Sequence, residues 1–387
     1  MNRSVLLAAT ASRWYGTARM PRSLARAGFV VSLLAPRDSL ALQSRFVART
    51  AAVRDTSTPA QWILSLAAMA GEVAPALIVP CDEVAFRLLS EFVRMRPRPV
   101  LDRGESDLRD LVRRSLGDPA HYQTSVDKTA LPGAARALGI PVPAYAIART
   151  DSDAAMHATR LGYPVVLKRR FGFASQGVAV VRGPEALAAA AGALLQPMQV
   201  DVGVPVEPRL LVQSFVEGRT WAQTMVAWEG VPLAGFARER ELAYAPGQGA
   251  SSVMRLRRNP SIREFTERLC RAFGTSGFLS AEFIAPAAGG PPLLLEINRR
   301  LESMTHLDEF AGVDMCGALF QRFAGQIQTL PGDMPESDGG TITSFPREWL
   351  RDPESRWLRD FPCDVPWDDP ALFEAMVAEA MVASRNE

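Results

Sequence analysis

Over the first 120 residues, short apolar runs alternate with amphipathic stretches. Residues 5–9, 30–34 and 76–80 are strand-length apolar runs bounded by turn residues. Between and after them, helical spacing predicts helices over 17–27, 61–71 and 83–95. Gly28 follows the first as a C-terminal stop. Apolar strands linked by helical crossovers predict a parallel sheet covered on both faces. Past Arg96-Pro97-Arg98-Pro99 the pattern changes. A helix is expected over 128–138, with Pro132 in its first turn and a half and Gly139 at its end. Next come a helix over 151–161, strands over 165–168 and 178–182, and an Ala-rich helix over 184–195. This β-loop-β-helix piece reads as a small lobe, with a loop or hinge at 197–208. Strands over 210–212, 220–228, 231–237, 279–284 and 293–297 follow, antiparallel in character and interrupted by a helix over 262–273. The last ~55 residues hold Trp349, Trp357 and Trp367 among prolines and charges, then a helix over 371–383.

A length of 387 residues implies two or three structural units. The apolar fraction of 48% and charged fraction of 22% are those of a soluble globular protein. A net charge of +1 argues against nucleic-acid binding by bulk electrostatics. No run reaches the ~18 apolar residues needed to span a bilayer, and the N-terminal apolar run is short for a signal peptide. Cys81, Cys270, Cys316 and Cys363 are scattered as expected of free thiols in a cytoplasmic protein. His121, His157 and His306 are too dispersed for a metal cluster. No GxGxxG follows the first strand, which disfavours a dinucleotide site there. Of the 43 basic residues only Lys128 and Lys168 are lysines. Lysine is a compact point charge and arginine a planar fork, so the two differ most where a small cation must touch phosphate oxygens.

Four stretches carry candidate chemistry. Asp127-Lys128 opens a helical segment. Lys168 ends the apolar run 164–168, and the loop 171–177, with glycines near both ends and Ser175 inside, can wrap phosphate oxygens with backbone N–H groups. The strand-to-turn segment 210–218 exposes backbone groups that can pair with an adenine edge; a plain strand and turn reads equally well. In the fourth stretch, Glu296 and Asn298 are i and i+2 on a strand and share a face, with Glu282 on a neighbouring strand. Two carboxylates and an amide oxygen make a hard-oxygen set suited to magnesium. Arg300 continues the same face and can hold a phosphoryl group or a substrate carboxylate.

In these stretches the chain resembles the ATP-grasp superfamily, in particular its carboxylate–amine ligases of the carbamoyl-phosphate-synthetase-like kind, over about residues 126–314. The resemblance implies an α/β and α+β architecture: an N-terminal Rossmann-like pre-ATP-grasp domain (1–120), then a two-lobed ATP-grasp domain (121–330) with an antiparallel core sheet. Its mobile small lobe would span about 158–209, and a C-terminal segment (331–387) would pack on the core. It implies ATP and one or two Mg²⁺ ions, with Mn²⁺ as a substitute, small-molecule carboxylate and amine substrates, and a homodimer. Nucleic acid and membrane partners are not expected. ATP would be bound by Lys128, Lys168, Ser175, Gln176, Gly177, Gln213, Ser214, Phe215, Val216 and Thr220. The metal would be bound by Glu282, Glu296 and Asn298, with Arg300, Lys168 and Arg240 in catalytic roles. Thr220 stands where many members have a ribose-binding acid, and Ser280 where an arginine is common. Phosphate neutralisation is then expected from Arg238, Arg240 or Arg300. Residues 247–253 look like the substrate-side loop, with Ser251 facing the substrate. The implied reaction joins a carboxylate to an amine through an acyl-phosphate; a bicarbonate-using carboxylase or a non-catalytic nucleotide-binding protein are the other readings.

Overall fold

A computed structural model of the chain describes residues 2–53, 58–95, 102–172, 177–196, 207–245, 248–325 and 339–383. The N-terminal strands are β1 (Ser4–Ala8), β2 (Val30–Pro36), β3 (Arg49–Val53) and β4 (Leu77–Pro80), all parallel and ordered β3-β2-β1-β4. The apolar runs are continuous because both faces are covered. Val5 and Leu7 point into one core cluster with Met20 and Leu24, while Leu6 and Ala8 join another with Trp62, Leu66, Phe86 and Leu89. The helices span Tyr15–Ala27, Pro59–Val73 and Glu83–Arg94, and Gly28 closes the first at φ 107° as expected. Strand order reverses between β1 and β4, the place where open α/β sheets leave a crevice. Asp82 ties the two loops together there. Its carboxylate accepts from Thr10 N, Thr10 Oγ1 and Ala11 N and also caps the Glu83–Arg94 helix through Ala85 N.

The small lobe is a four-stranded antiparallel sheet of β5 (Tyr145–Ala148), β6 (Val165–Arg169), β7 (Val178–Val181) and β8 (Leu210–Ser214), ordered β5-β8-β6-β7. Helices Asp151–Leu161 and Leu187–Leu195 cover one face, burying Ala154, Ala158, Leu187 and Ala191 against Val165, Leu167 and Val212. The sheet therefore reaches beyond both ends of the 158–209 stretch. Gly177 closes the β6–β7 connection at φ 77°, and a Cβ there would come within 2.9 Å of the Arg169 Cβ.

The core sheet contains β9 (Gly218–Trp228), β10 (Val231–Ala245), β11 (Gln248–Leu256), β12 (Gly277–Pro286), β13 (Leu293–Asn298) and β14 (Thr341–Thr343). It is antiparallel, with order β13-β12-β9-β10-β11-β14. Glu229 and Gly230 make the β9–β10 turn, both at positive φ (49° and 78°), which suits the twist of the flanking strands. Met225, Ala237, Leu279 and Phe283 face helix Pro260–Ala272; Val226, Phe236, Met254 and Phe278 face the N-terminal unit and helix Met315–Phe323.

Two local expectations are corrected. The helix expected over 128–138 spans only Leu131–Ala137, because the buried Asp127 carboxylate accepts from Thr129 N and Oγ1 and holds residues 127–129 in a turn. Of the loop expected over 247–253, residue 247 lies outside the described residues and residues 248–253 are part of β11, paired on one side with β10 and on the other with β14. Strands β3, β5 and β14 and helices Asp102–Leu116 and Met315–Phe323 had no counterpart in the sequence reading.

Candidate active site

Strands β12 and β13 pair so that Glu282 lies directly opposite Glu296 and Ser280 opposite Asn298, with a bulge just after Glu282. The period of two puts all four side chains on one face of the sheet. Lys128 arrives from the turn after Val126 and places its ammonium 2.8 Å from Glu296 Oε2 and 3.1 Å from the Gly172 carbonyl. That turn is strapped to the end of β6: Lys128 N donates to Arg170 O (2.9 Å), and Arg170 Nε to Asp127 Oδ2 (2.7 Å). Lys168, the last but one residue of β6, reaches down from the small lobe to the Leu295 carbonyl at 3.5 Å. The two lysines thus converge on neighbouring residues of β13, one on a carboxylate and the other on a weak backbone contact.

The electrostatics follow from that asymmetry. Burial pushes the Lys168 pKa down from 10.5 to about 8, helped by the Lys128 charge and opposed by Glu296. Burial acts on Lys128 in the same direction, but its pairing with Glu296 outweighs it and the pKa is raised. Burial pushes Glu282 up to about 7, with repulsion from Glu296 and Glu302 adding to it. For Glu296, the cations Lys128 and Lys168 overcome the burial effect and hold the carboxyl well below the usual range. Two facing carboxylates that cannot both ionise cheaply fit a divalent cation, which would keep both charged; carboxylate and amide oxygens are the donors a hard cation takes. Among the described residues no cluster of three or more His, Cys, Asp or Glu is arranged to hold a metal.

Beyond Asn298 the chain continues the same alternation. Arg300 NH2 donates to Asn298 Oδ1 (3.2 Å), and its guanidinium lies 4.8 Å over the Trp14 ring from the N-terminal unit. Trp14 Nε1 in turn donates to Leu301 O at 2.9 Å. Asn298 Nδ2 donates to Glu302 Oε1 (3.0 Å), and Glu302 is ion-paired with Arg238. Arg238 reaches across from β10 to Thr224 Oγ1 (2.5 Å), whose hydroxyl faces Ser280. A guanidinium therefore does approach the position that Ser280 leaves, but Glu302 neutralises it. Arg240 bonds to Ser251 Oγ through Nε at 3.1 Å, which places Ser251 inside a strand pair.

On the adenine side, Gln213 is buried in β8 and its Nε2 is a buried donor without a partner among the described residues. Such an orphan donor fits a heterocycle edge. The backbone N–H groups of Ser214 and Phe215 are already taken by Ala144 O (2.8 Å) and Pro164 O (3.1 Å), so they are not the free donors expected. Val216 is half-buried just beyond β8. Thr220 lies in β9 opposite Ile284, two residues along from the Glu282 pair. Ser175 and Gln176 lie outside the described residues. Phe171, at the base of their loop, is buried in the N-terminal core between the guanidinia of Arg87 (4.5 Å) and Arg170 (5.0 Å).

The sequence reading missed Glu302, Glu83 and Trp14. Glu302 extends the i+2 series 296, 298, 300, and that spacing is a usable signal. Glu83 starts the helix after β4, is buried, and has its pKa raised by burial against the opposing charges of Arg300 and Lys128. Trp14 has no local signal, because it meets the site only through the fold.

The chain is similar in sequence and in fold to known proteins. A family profile described as the ATP-grasp domain matches residues 126–304. The carbamoyl phosphate synthase large chain of Rubrobacter xylanophilus is 26% identical over 270 residues, which is 65% of this chain and 25% of that one. A D-alanine–D-alanine ligase of Ectopseudomonas mendocina is 25% identical over 169 residues, 42% of this chain and 51% of the ligase. The chain thus spans between a quarter and about half the length of these curated relatives. Among solved structures, the biotin carboxylase of Campylobacter jejuni in complex with β,γ-ATP superposes with a TM-score of 0.65 at 16% identity. That match covers 86% of this chain and 72% of the other, and at such identity it speaks for the fold. The stretch that matches the ATP-grasp domain model, residues 126–304, holds both lysines and the whole oxygen set.

Proposed function

We propose that this protein is an ATP-dependent carboxylate–amine ligase. The observation that carries the reading is the convergence of Lys128 and Lys168 on β13 beside Glu282, Glu296 and Asn298. Lys128, Lys168 and Arg300 offset phosphate charge. The orphan Nε2 of Gln213 meets the base, with Ser175, Gln176, Gly177, Ser214, Phe215, Val216 and Thr220 around the nucleotide. Glu282, Glu296 and Asn298 would hold Mg²⁺, which would supply neutralisation of the phosphate charge. A substrate carboxylate oxygen attacks the γ-phosphorus and ADP leaves. The amine nitrogen then attacks the acyl carbon, inorganic phosphate leaves with the carboxylate oxygen, and a proton is released as the ammonium becomes an amide. Positioning and charge neutralisation are what such transfers chiefly require of a protein. Phe171, seated in the N-terminal core, holds the lobe against that unit and keeps water from the acyl-phosphate.

We assign residues 1–120 to a pre-ATP-grasp unit that shapes the substrate side, 121–330 to the catalytic unit, and 331–387 to a segment packed on it. A cytoplasmic location and a homodimer complete the proposal; among the described residues no helix is long and apolar enough to cross a membrane. The test is phosphate release from Mg·ATP with paired pools of carboxylates and amines. Release that requires one member of each pool supports ligation. Release that requires bicarbonate instead would make the protein a carboxylase, and ATP binding without release from any pool would make it a non-catalytic nucleotide binder.

A further inference from the structure

Arg347 comes from the C-terminal segment, just after β14 docks on the edge of the core sheet. It is only 9% exposed. One of its five N–H donors is used, by NH1 on the neutral Ser303 hydroxyl at 2.9 Å. Among the described residues no carboxylate lies within ion-pair distance of it. A buried cation with one neutral partner is costly to keep unless something supplies the missing charge. Its surroundings say where that charge would sit. Ser303 follows Arg300 by three residues, and the Arg347 guanidinium lies 5.6 Å over the Tyr15 ring, as that of Arg300 lies 4.8 Å over Trp14. Trp14, the N-cap of the first helix, and Tyr15, its first residue, therefore floor two guanidinia. One belongs to the oxygen set that handles the phosphoryl group; the other has spare donors. Glu302, which accepts from Asn298, is also among the charges that act on Arg347, so the two guanidinia border the same region. Arg299 is buried too, with Nε and NH1 unpartnered, but it lies over Phe86 and donates to Leu116 O in the N-terminal core, away from the site.

We infer that Arg347 binds a non-reacting carboxylate of the substrate, so that the ligase takes an amino acid or a dicarboxylic acid rather than a simple amine and a simple acid. This rests on the ligase reading. A guanidinium fork takes a carboxylate by two parallel bonds, while the ring beneath it excludes water. The free carboxyl group of an amino-acid acceptor and the second carboxyl group of a dicarboxylic donor share this chemistry, and two experimental arms separate them.

Phosphate release from Mg·ATP is measured for the full chain and for Arg347→Ala and Arg347→Lys. The acceptor arm compares free L-amino acids with their amides; the donor arm compares dicarboxylic acids with their monoamides. For the wild type, the free acid should be preferred in one arm by about ten- to a hundred-fold in KM, the range of a charged hydrogen bond. Arg347→Ala should lose that preference through KM, with kcat at saturation and amide turnover retained, and Arg347→Lys should recover part of it. Affinity for a fluorescent ATP analogue should be the same in all three proteins, which also reports folding; if the alanine variant does not fold, the lysine variant carries the comparison. An acid-to-amide ratio that Arg347→Ala leaves unchanged, or a wild type without any preference, overturns the inference while leaving the ligase reading intact. If no pool releases phosphate, the ligase reading fails, and the same compounds are compared by ligand-induced thermal shift. A shift given by acids, absent with amides and lost in Arg347→Ala, would still support the carboxylate site; equal shifts, or none, overturn it.

Discussion

Lys168 carries a charge for which the described residues offer no carboxylate within ion-pair distance. It is buried, its nearest acceptor is the Leu295 carbonyl at 3.5 Å, and burial lowers its pKa from 10.5 to about 8. That fall corresponds to about 3 kcal/mol against the charged form. A folded-state pKa below the unfolded one means that the unfolded chain holds more protons between pH 8 and 10.5. The penalty is therefore fully present below pH 8 and is relieved as pH rises through that window. Lys168→Met keeps the stem and removes the charge. At pH 7 and without nucleotide it should melt higher than the wild type by about 3 to 6 °C. By pH 9.5 the gap should shrink to roughly less than half as the wild-type lysine loses its proton. In the same preparation, ATP-dependent phosphate release should fall by about a hundred-fold or more, the usual effect of removing one charge-stabilising group. The assay is a pair of melting curves at the two pH values beside a phosphate-release measurement. A variant that is less stable at pH 7, or a gap that does not change with pH, would refute the view of Lys168 as a cation waiting for phosphate. Activity close to wild type would remove it from the mechanism.

Three more outcomes follow from the same geometry. Glu296→Gln removes the partner of Lys128 at 2.8 Å and one oxygen of the metal set. It should lose magnesium-dependent phosphate release and about 3 kcal/mol of stability, and a change confined to KM would count against metal ligation. Gly177→Ala puts a Cβ at φ 77° and within 2.9 Å of the Arg169 Cβ, and should destabilise the β6–β7 connection by about 1–3 kcal/mol. Hydrogen exchange in the small lobe would read this, and unchanged protection would contradict it. His306 Nε2 lies 2.8 Å from Asp364 Oδ2, and burial, then the neighbouring Arg19, lower the ring's pKa from 6.5. The unfolded chain takes up that proton first, so melting temperature should fall as pH drops below about 6.5, and His306→Gln should flatten that part of the curve.

What the sequence made legible was whatever a local period encodes. The parallel strands of the N-terminal unit were readable because both faces are buried and the apolar runs are unbroken. The shared face of Glu296 and Asn298 was readable because a spacing of two on a strand is a statement about one face. The misreadings come from contacts distant in sequence or from competing short-range bonds. β11 looks like a Gly/Ser loop and becomes a strand because β10 and the three-residue β14, some ninety residues further on, pair with it. Lys128 has the setting of a helix start, but Asp127 bonds to Thr129 and delays the helix. Trp14 and Arg347 come from the two ends of the chain to neighbouring parts of the segment 300–303, and no window of sequence contains both. Arg238 was expected to serve phosphate, yet Glu302 holds it.

The charges around β13 have an order that phosphoryl transfer would use. Arg238 is neutralised by Glu302, and Arg300 is held by Asn298 and Trp14, so the far side of the site is set before any substrate arrives. The near side is unsettled: Lys128 occupies Glu296, and among the described residues Lys168 has only a carbonyl. A divalent cation alone would have to compete with Lys128 for Glu296, at a site whose other carboxylate, Glu282, is held partly protonated. A triphosphate alone would meet Glu282 and Glu296 as like charges. Arriving together, the cation takes the carboxylates and the phosphates take the two ammonium groups, and each removes the obstacle to the other. Metal affinity should therefore be low without nucleotide and rise with it, and by reciprocity nucleotide affinity should rise by the same factor with metal.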